Sequence, residues 1–375
     1  MNRKGKFYIL NWVFSYGSAS SNRLLAYANS AADYGYKVEI IALLRLDLMN
    51  WEPRTGVLIR GLGPCRLESK LLAKFLSFFT TIWFLLAKVK KEDRLLLYGS
   101  AEYLPFLVWF RRRQSFFEVT ECPDLFKPKT YPWKYYKKLW RRLRGIIVIS
   151  SNLKQYFVDH GVNSDKVYVI NMIVDPKRFD GLKCNSNAPK YIAYCGNVNK
   201  DSKDGVGDLI ASFARYHKKY NDRKLYIIGP IVSSEQKAEY EEYLRLFGVL
   251  DNVIFTGSVT PSSIPQYFID AEMLVLARPD NTQAKYGFPT KLGEYLLAGR
   301  PVVLTDVGNI SDFLVDRKNA FIAEPGNIKS ISNKMIEVSD NQNIANSIAI
   351  AGKKTALEEF NSVKETKKLL SIVFN

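Results

Sequence analysis

The sequence predicts an α/β protein made of two doubly wound, Rossmann-like domains facing a central cleft. Three observations carry that prediction. Short apolar strands alternate with helical stretches along most of the chain. The alternation stops at a polar stretch, Asp180 to Lys190, and then begins again. The length, 375 residues with 47% apolar side chains, exceeds one ordinary core and suits two.

The first domain, residues 1–183, opens on "KFYILNWVF", which reads as a buried strand. This N-terminus superficially resembles a signal peptide. Its apolar run is short, however, Asn11 interrupts it, and no convincing A-x-A cleavage site follows. "SNRLLAYANSAADYG" is a helix closed by Gly35, and "KVEIIALL" is the next strand. "LLAKFLSFFTTIWFLLAKV", Leu71 to Val89, is charged at Lys74 and Lys88. Its uncharged centre is shorter than the roughly 20 residues of a spanning helix, so it reads as a buried or interfacial helix. "DRLLLYGS", "SFFEVTE" and "GIIVIS" supply further strands. After the polar stretch, which joins the domains near 181–189, the second domain, residues 184–356, repeats the scheme. Its strands are "YIAYCG", "KLYIIG", "NVIFTG", "EMLVLA" and "PVVLT". A terminal helical stretch, 357–375, is expected to pack back onto the first domain. Apolar strands alternating with helices imply parallel sheets covered on both faces. Such domains bind ligands outside the carboxyl ends of their strands, where the chemistry is therefore sought.

Composition narrows the chemistry. A net charge of +17 fits either a soluble protein with a basic surface or one with a polyanionic partner, whether nucleic acid, an anionic membrane face or a phosphorylated substrate, and composition alone does not separate them. The four cysteines, at 65, 122, 184 and 195, form no C-x-x-C pair and fit no zinc spacing. A reducing cytoplasm is the expected compartment. His160 and His217 lie far apart, and no D-x-D is present to hold a metal–diphosphate pair, so no metal is expected.

"KYGFPTKLGEYLLAGRPVVLTDVGN", Lys285 to Asn309, is dense in residues that shape a backbone. Gly287 lets a ligand approach the chain, Pro289 suits a first helical turn, and Thr290 is placed to cap. A helix start offers free amides, with Lys291 beside them, and so suits a phosphate. Glu294, one turn deeper, is placed to accept from two sugar hydroxyls, such as those of a ribose.

This stretch resembles the donor-site signature of family 4 glycosyltransferases, which have the two-domain GT-B fold. "YGSASSNRLLAYANSAADYGYKVEII", "IIVISSNLKQYFVDHGVNSDKVYVINMIVDPKRF" and "YCGNVNKDSKDGVGDLIASF" resemble other parts of that family in the same order. The resemblance implies a nucleotide-sugar donor, transfer with retention, and GT-B architecture. It implies that Glu294 matches the second glutamate of the family's E-x7-E. The first falls on Tyr286, so backbone groups of Gly287 and Phe288 are expected to hold the transferred sugar. A basic residue after the first strand of the donor domain is expected against the diphosphate. Lys203 is the choice, with Asn197 and Lys200 as further candidates and Arg278 at the end of "EMLVLARP". Charged donors of this kind neutralise a leaving diphosphate without a metal.

On the other side, Gly17 opens a Ser-rich loop between strand and helix, a natural phosphate or acceptor contact. Glu118 and Glu121 stand at and just beyond a strand end. Glu121 is the catalytic candidate, orienting the attacking hydroxyl or accepting its proton. From Phe126 to Gly145 run eight basic residues and no acid, interleaved with aromatics. Lys137, Lys138, Trp140, Arg141 and Arg142 are expected to meet an acceptor or an anionic membrane. No nucleic-acid module accompanies the charge, so nucleic acid is not expected. The expectation is therefore a retaining, metal-independent glycosyltransferase without cofactor, peripheral on the cytoplasmic face of the membrane. Its acceptor is a lipid-linked glycan or oligosaccharide in bacterial capsule, O-antigen or related polysaccharide assembly. Alternatives are a nucleotide-sugar epimerase of the same architecture and a non-catalytic basic protein binding membrane or nucleic acid.

Overall fold

The structure, a computed structural model, describes residues 5–47, 55–63, 70–127, 131–196, 198, 204–231 and 233–375. The chain forms two compact units, residues 1–173 with 362–375, and residues 174–361. Each is a parallel sheet flanked by helices.

In the first unit the chain runs β1 (Phe7–Ser15), α1 (Ala19–Asp33), β2 (Val38–Asp47), β3 (Val57–Gly61), α2 (Lys70–Ala87), β4 (Arg94–Tyr98) and α3 (Leu104–Arg111). It continues through β5 (Ser115–Val119), α4 (Trp133–Trp140), β6 (Gly145–Val148), α5 (Ser151–Asp159) and β7 (Val167–Val169). The sheet order is β3-β2-β1-β4-β5-β6-β7, every pairing parallel. β1 lies near the centre, so Phe7 to Leu10 are buried on both faces, as a continuous apolar run requires. The sequence reading did not single out β3 and β7, which are short and lie at the sheet's two edges.

The second unit holds β8 (Tyr191–Cys195), α6 (Val206–His217), β9 (Lys224–Ile228), α7 (Ser234–Phe247), β10 (Val253–Gly257), α8 (Ile264–Asp270) and β11 (Met273–Leu276). Then come α9 (Thr282–Tyr286), α10 (Leu292–Leu297), β12 (Val302–Thr305), β13 (Phe321–Ala323), α11 (Ile328–Asp340) and α12 (Gln342–Glu359). Its sheet order is β10-β9-β8-β11-β12-β13. The order reverses between β8 and β11, which opens a crevice at their carboxyl ends.

Residues 174–183, assigned by sequence to the first domain, group with the second unit. The Val174 amide donates to the Phe360 carbonyl at 2.9 Å, and Arg178 donates to the Pro261 carbonyl at 2.8 Å. The last helix, α13 (Ser362–Phe374), belongs to the first unit. It packs on α1, and its Phe374 ring meets Phe7 and Tyr36 at centroid distances of 6.1 and 4.7 Å. The Asn171 amide donates to its Glu365 at 2.9 Å.

One buried ion pair ties the first unit together. Arg23 of α1 donates through Nε to Glu118 of β5 at 2.7 Å, and its other nitrogens reach the carbonyls of Asn171 and Ile170 at 2.8 and 3.0 Å. Tyr27 donates to the same Glu118 oxygen at 3.0 Å. Glu118 is fully buried and therefore structural. Removing its charge strands a guanidinium inside the unit. Glu118→Gln should cost about 3–5 kcal/mol, read as a lowered urea midpoint. Glu118→Met combined with Arg23→Met should restore much of it, because no unpaired charge remains. A double variant as unstable as the single would refute this account.

Candidate functional site

The carboxyl ends of β8 and β11 lie side by side at the crevice of the second unit. β8 ends at Cys195, and Gly205 begins the turn into α6 with φ of 63°. That left-handed conformation favours glycine, and a Cβ there would strike the Ala277 carbonyl oxygen. The same tight approach brings Asp204, 5% exposed, in front of Arg278 at the end of β11.

Asp204 is the hub. Lys291 Nζ lies 2.5 Å from its Oδ2, and the Tyr194 hydroxyl donates to that oxygen at 2.9 Å. Arg278 Nε stands 3.7 Å from Oδ1, an ion pair longer than a hydrogen bond. Gly196 leaves room for this arrangement, since a Cβ there would collide with Lys291 Nζ and the Tyr194 hydroxyl. Tyr295 is locked alongside, its oxygen accepting from the Cys195 amide at 2.7 Å. One turn along α10, Glu294 forms an ion pair with Arg178. Three cations, Arg178, Arg278 and Lys291, thus accompany two carboxylates.

Burial pushes the Asp204 carboxyl up, but Lys291, Arg278 and the Tyr194 hydroxyl outweigh it and hold the group below its usual value. Burial raises the Cys195 thiol, against the pull of Lys291 and Arg178. Among the described residues no three His, Cys, Asp or Glu side chains gather in a way that could hold a metal ion.

Of the residues expected from sequence, Arg278, Lys291 and Glu294 come together here. Lys203, Asn197 and Lys200 lie outside the described residues. Gly287 has φ of −81° and ψ of 172°, extended backbone open to any residue. Phe288 is buried against Phe313 and Phe360, with centroids 5.6 Å from each, and so anchors the loop. Pro289 is buried, and its carbonyl accepts from the Leu292 amide at 3.1 Å. Thr290 does not cap α10: Lys291 occupies the cap position, without a side-chain cap bond, and α10 has only six residues. The expected phosphate-binding helix start is therefore one residue later and short, and Lys291 provides its charge from the cap itself.

In the first unit, Gly17, with φ of 84°, turns the chain out of β1, and Ser18 caps α1 by accepting from the Ser21 amide. Glu121 sits partly buried in the bend after β5. Trp140 corrects the sequence reading. It is 1% exposed and packs on Phe157 and Trp133 with centroids 4.8 and 5.2 Å away, so it meets neither acceptor nor membrane. Tyr136 is likewise buried. Lys138, Arg141 and Arg142 are exposed and Lys137 is partly so, leaving α4 with a cationic outer surface and an aromatic inner one.

Sequence reasoning missed Arg178, Asp204 and Tyr194. The signals were present: Asp204-Gly205 immediately precedes a helix, and Arg178 ends the "VDPKR" run quoted for its resemblance.

Residues 189–341 match the family model described as Glycosyl transferases group 1, a span that holds every member of the cluster except Arg178. The capsular polysaccharide biosynthesis glycosyltransferase CapM of Staphylococcus aureus is 26% identical over 223 residues, covering 57% of this chain and 55% of the relative. The chain spans 20% to 60% of the length of the curated relatives it matches. Anabaena HepE, solved in complex with UDP, aligns at TM-score 0.71 and 16% identity over 98% of both chains. A glycosyltransferase from Rickettsia africae aligns at TM-score 0.73 and 16% identity, again over 98% of both. The fold is that of the GT-B glycosyltransferases.

A depressed carboxyl pKa contributes stability above the unfolded-state value and loses it as pH falls through the folded-state value. For Asp204 the contribution is therefore full above its ordinary value of 3.8 and disappears below it. Asp204→Asn should cost about 3–5 kcal/mol at neutral pH. Urea unfolding of the variant should also depend less on pH below about 4 than that of the parent. An acid profile parallel to the parent's would exclude Asp204 as the hub.

Proposed function

We propose that the protein is a retaining, family 4-type glycosyltransferase that moves a sugar from a nucleotide-sugar donor to a glycan acceptor. The observation that carries this reading is the cluster at the ends of β8 and β11. It offers a carboxylate, Glu294, for ribose hydroxyls, and Arg178, Arg278 and Lys291 for a diphosphate. Leaving-group charge that develops on the diphosphate as the glycosidic bond breaks meets fixed cations, which is electrostatic stabilisation without a metal. Asp204 keeps Lys291 and Arg278 in place before the donor arrives, so little reorganisation is needed. Glu121 takes the acceptor side as the group that orients the attacking hydroxyl or accepts its proton. The similarity to CapM, a capsular polysaccharide biosynthesis glycosyltransferase, supports a role in bacterial surface polysaccharide assembly. The acceptor in this reading is lipid-linked, and the protein works peripherally on the cytoplasmic face of the membrane. No helix among the described residues is long and apolar enough to cross a membrane.

The test is a thermal-shift screen against nucleotide sugars, followed by transfer to a glycan acceptor. A true donor at about 100 times its Kd should add about 2.7 kcal/mol of stability. An epimerised nucleotide sugar formed without an acceptor would favour the epimerase reading, and no shift with any nucleotide sugar would remove the enzymatic reading.

Glu294→Gln should weaken donor binding by about 1.5–3 kcal/mol, roughly 10- to 150-fold, in a folded protein. Unchanged donor kinetics would take Glu294 out of the site.

Lys291→Ala should lower affinity for a nucleoside diphosphate much more than for the bare nucleoside, because the partner assigned to it is phosphate. Equal losses, measured by calorimetry on the folded variant, would assign Lys291 to holding Asp204 alone.

A further inference from the structure

We propose that the outer face of α2 docks the protein on an anionic phospholipid bilayer. Leu71, Leu72, Phe75, Phe79, Trp83 and Leu86 form one stripe along this helix, each at least 48% exposed. They recur at helical spacing on a single face. The opposite face is what holds α2 to its unit: Ala73, Ser77, Thr81, Phe84 and Leu85 are buried, and the Ser77 and Tyr103 hydroxyls are hydrogen-bonded at 2.6 Å. The helix has 18 residues, about 27 Å, and no charged residue from Phe75 to Ala87. A contiguous exposed stripe of this length marks an interaction surface. It widens onto α3, where Trp109 is 51% exposed and meets Phe106, which in turn meets Phe78 of α2.

Charge identifies the occupant. The carboxyl end of α2 enters a collar of exposed Lys88, Lys90 and Lys91. Arg111 of α3 donates to the Leu86 and Val89 carbonyls at 3.3 and 3.4 Å, which brings the exposed Arg112 and Arg113 to the same end. The acids in this stretch are Glu92, which is exposed, and Asp93, which is buried and accepts from the Lys6 and Lys90 amides. Lys88 Nζ lies over the Trp83 ring, 5.2 Å from its centroid. An apolar stripe with tryptophan beside a cationic collar fits acyl chains next to anionic headgroups, with the lysines reaching up to the phosphates. A second copy of this chain would bring cations against cations at the same collar. The cationic outer surface of α4, which packs beside α3, adds attraction at longer range but no apolar insertion.

The inference deepens the proposal of a membrane-borne acceptor and rests on it for its purpose, but its test does not require transfer. The full chain is sedimented with vesicles of phosphatidylglycerol and phosphatidylcholine, and with phosphatidylcholine alone. The parent should bind the anionic vesicles, and added salt should weaken binding without abolishing it. Phe79→Ser with Trp83→Ser should reduce binding about tenfold or more, with an unchanged thermal midpoint, since both side chains are exposed. Leu71→Ser with Phe75→Ser provides the same readout at the other end of the helix should the first variant fail to fold. Lys88, Lys90 and Lys91 changed to Glu should lower binding to anionic vesicles only. Folded stripe variants that bind vesicles as well as the parent overturn the proposal. So does a parent dimer that dissociates in those variants while vesicle binding persists, which would make the face a protein interface. Loss of transfer with vesicle binding intact would instead count against the enzymatic reading alone.

Discussion

The second unit depends on a buried carboxylate that has more cationic partners than it needs. Asp204 loses most of its hydration, a cost of several kcal/mol for an isolated ion. It recovers that cost only because Lys291, Arg278 and Tyr194 converge on its two oxygens. The convergence needs Gly205 to turn the chain tightly against Ala277, and Gly196 to leave space for the lysine. Three segments distant in sequence, the ends of β8 and β11 and the start of α10, are thereby held in register. Cations fixed in advance beside a crevice are of more use to a diphosphate than flexible surface lysines, which must first be ordered.

Legibility in the sequence followed the range of each interaction. Strand–helix alternation is local, so most strands and the restart of the pattern after Asp180 were readable from periodicity. β3 and β7 escaped because edge strands of five and three residues leave little pattern to read. In the candidate site, Lys291 and Glu294 were named from a dense local motif, and Arg278 from its place after an apolar strand. Asp204 was not, because its meaning lies in a partner 87 residues away. Arg178 has the same character, with a partner in α10. Trp140 shows the opposite error. Interleaved cations and aromatics look like a membrane surface in one dimension, but α4 turns Tyr136 and Trp140 inward and leaves Lys138, Arg141 and Arg142 outside.

The two units solve a similar problem with different partners. In the first, Arg23 and Glu118 are both almost wholly buried; two carbonyls accept from the guanidinium, and the Tyr27 hydroxyl donates to the same carboxylate oxygen as Arg23. Little of that pair faces solvent, so it serves rigidity and register. In the second, Lys291, Arg178 and Glu294 retain a fifth to a quarter of their side-chain exposure. Partial exposure distinguishes the candidate site from a staple. The groups are held closely enough to be pre-oriented, and open enough for a ligand to share them.

The proposal of bilayer docking rests on how charge and apolar surface are partitioned in a chain of net charge +17. Cations alone, as on α4, yield attraction that salt screens within about 8 Å at physiological strength. Apolar contact alone would not distinguish a bilayer from another protein. The end of α2 combines the two, with Lys88 Nζ 5.2 Å from the Trp83 ring centroid and Arg111 of α3 bonded to the Leu86 and Val89 carbonyls. A helix already packed on its unit through its buried inner face needs no folding on arrival, so it avoids the ordering cost borne by a disordered anchor. In the proposed docking, binding is reversible, because the embedded element is a stripe and not a span.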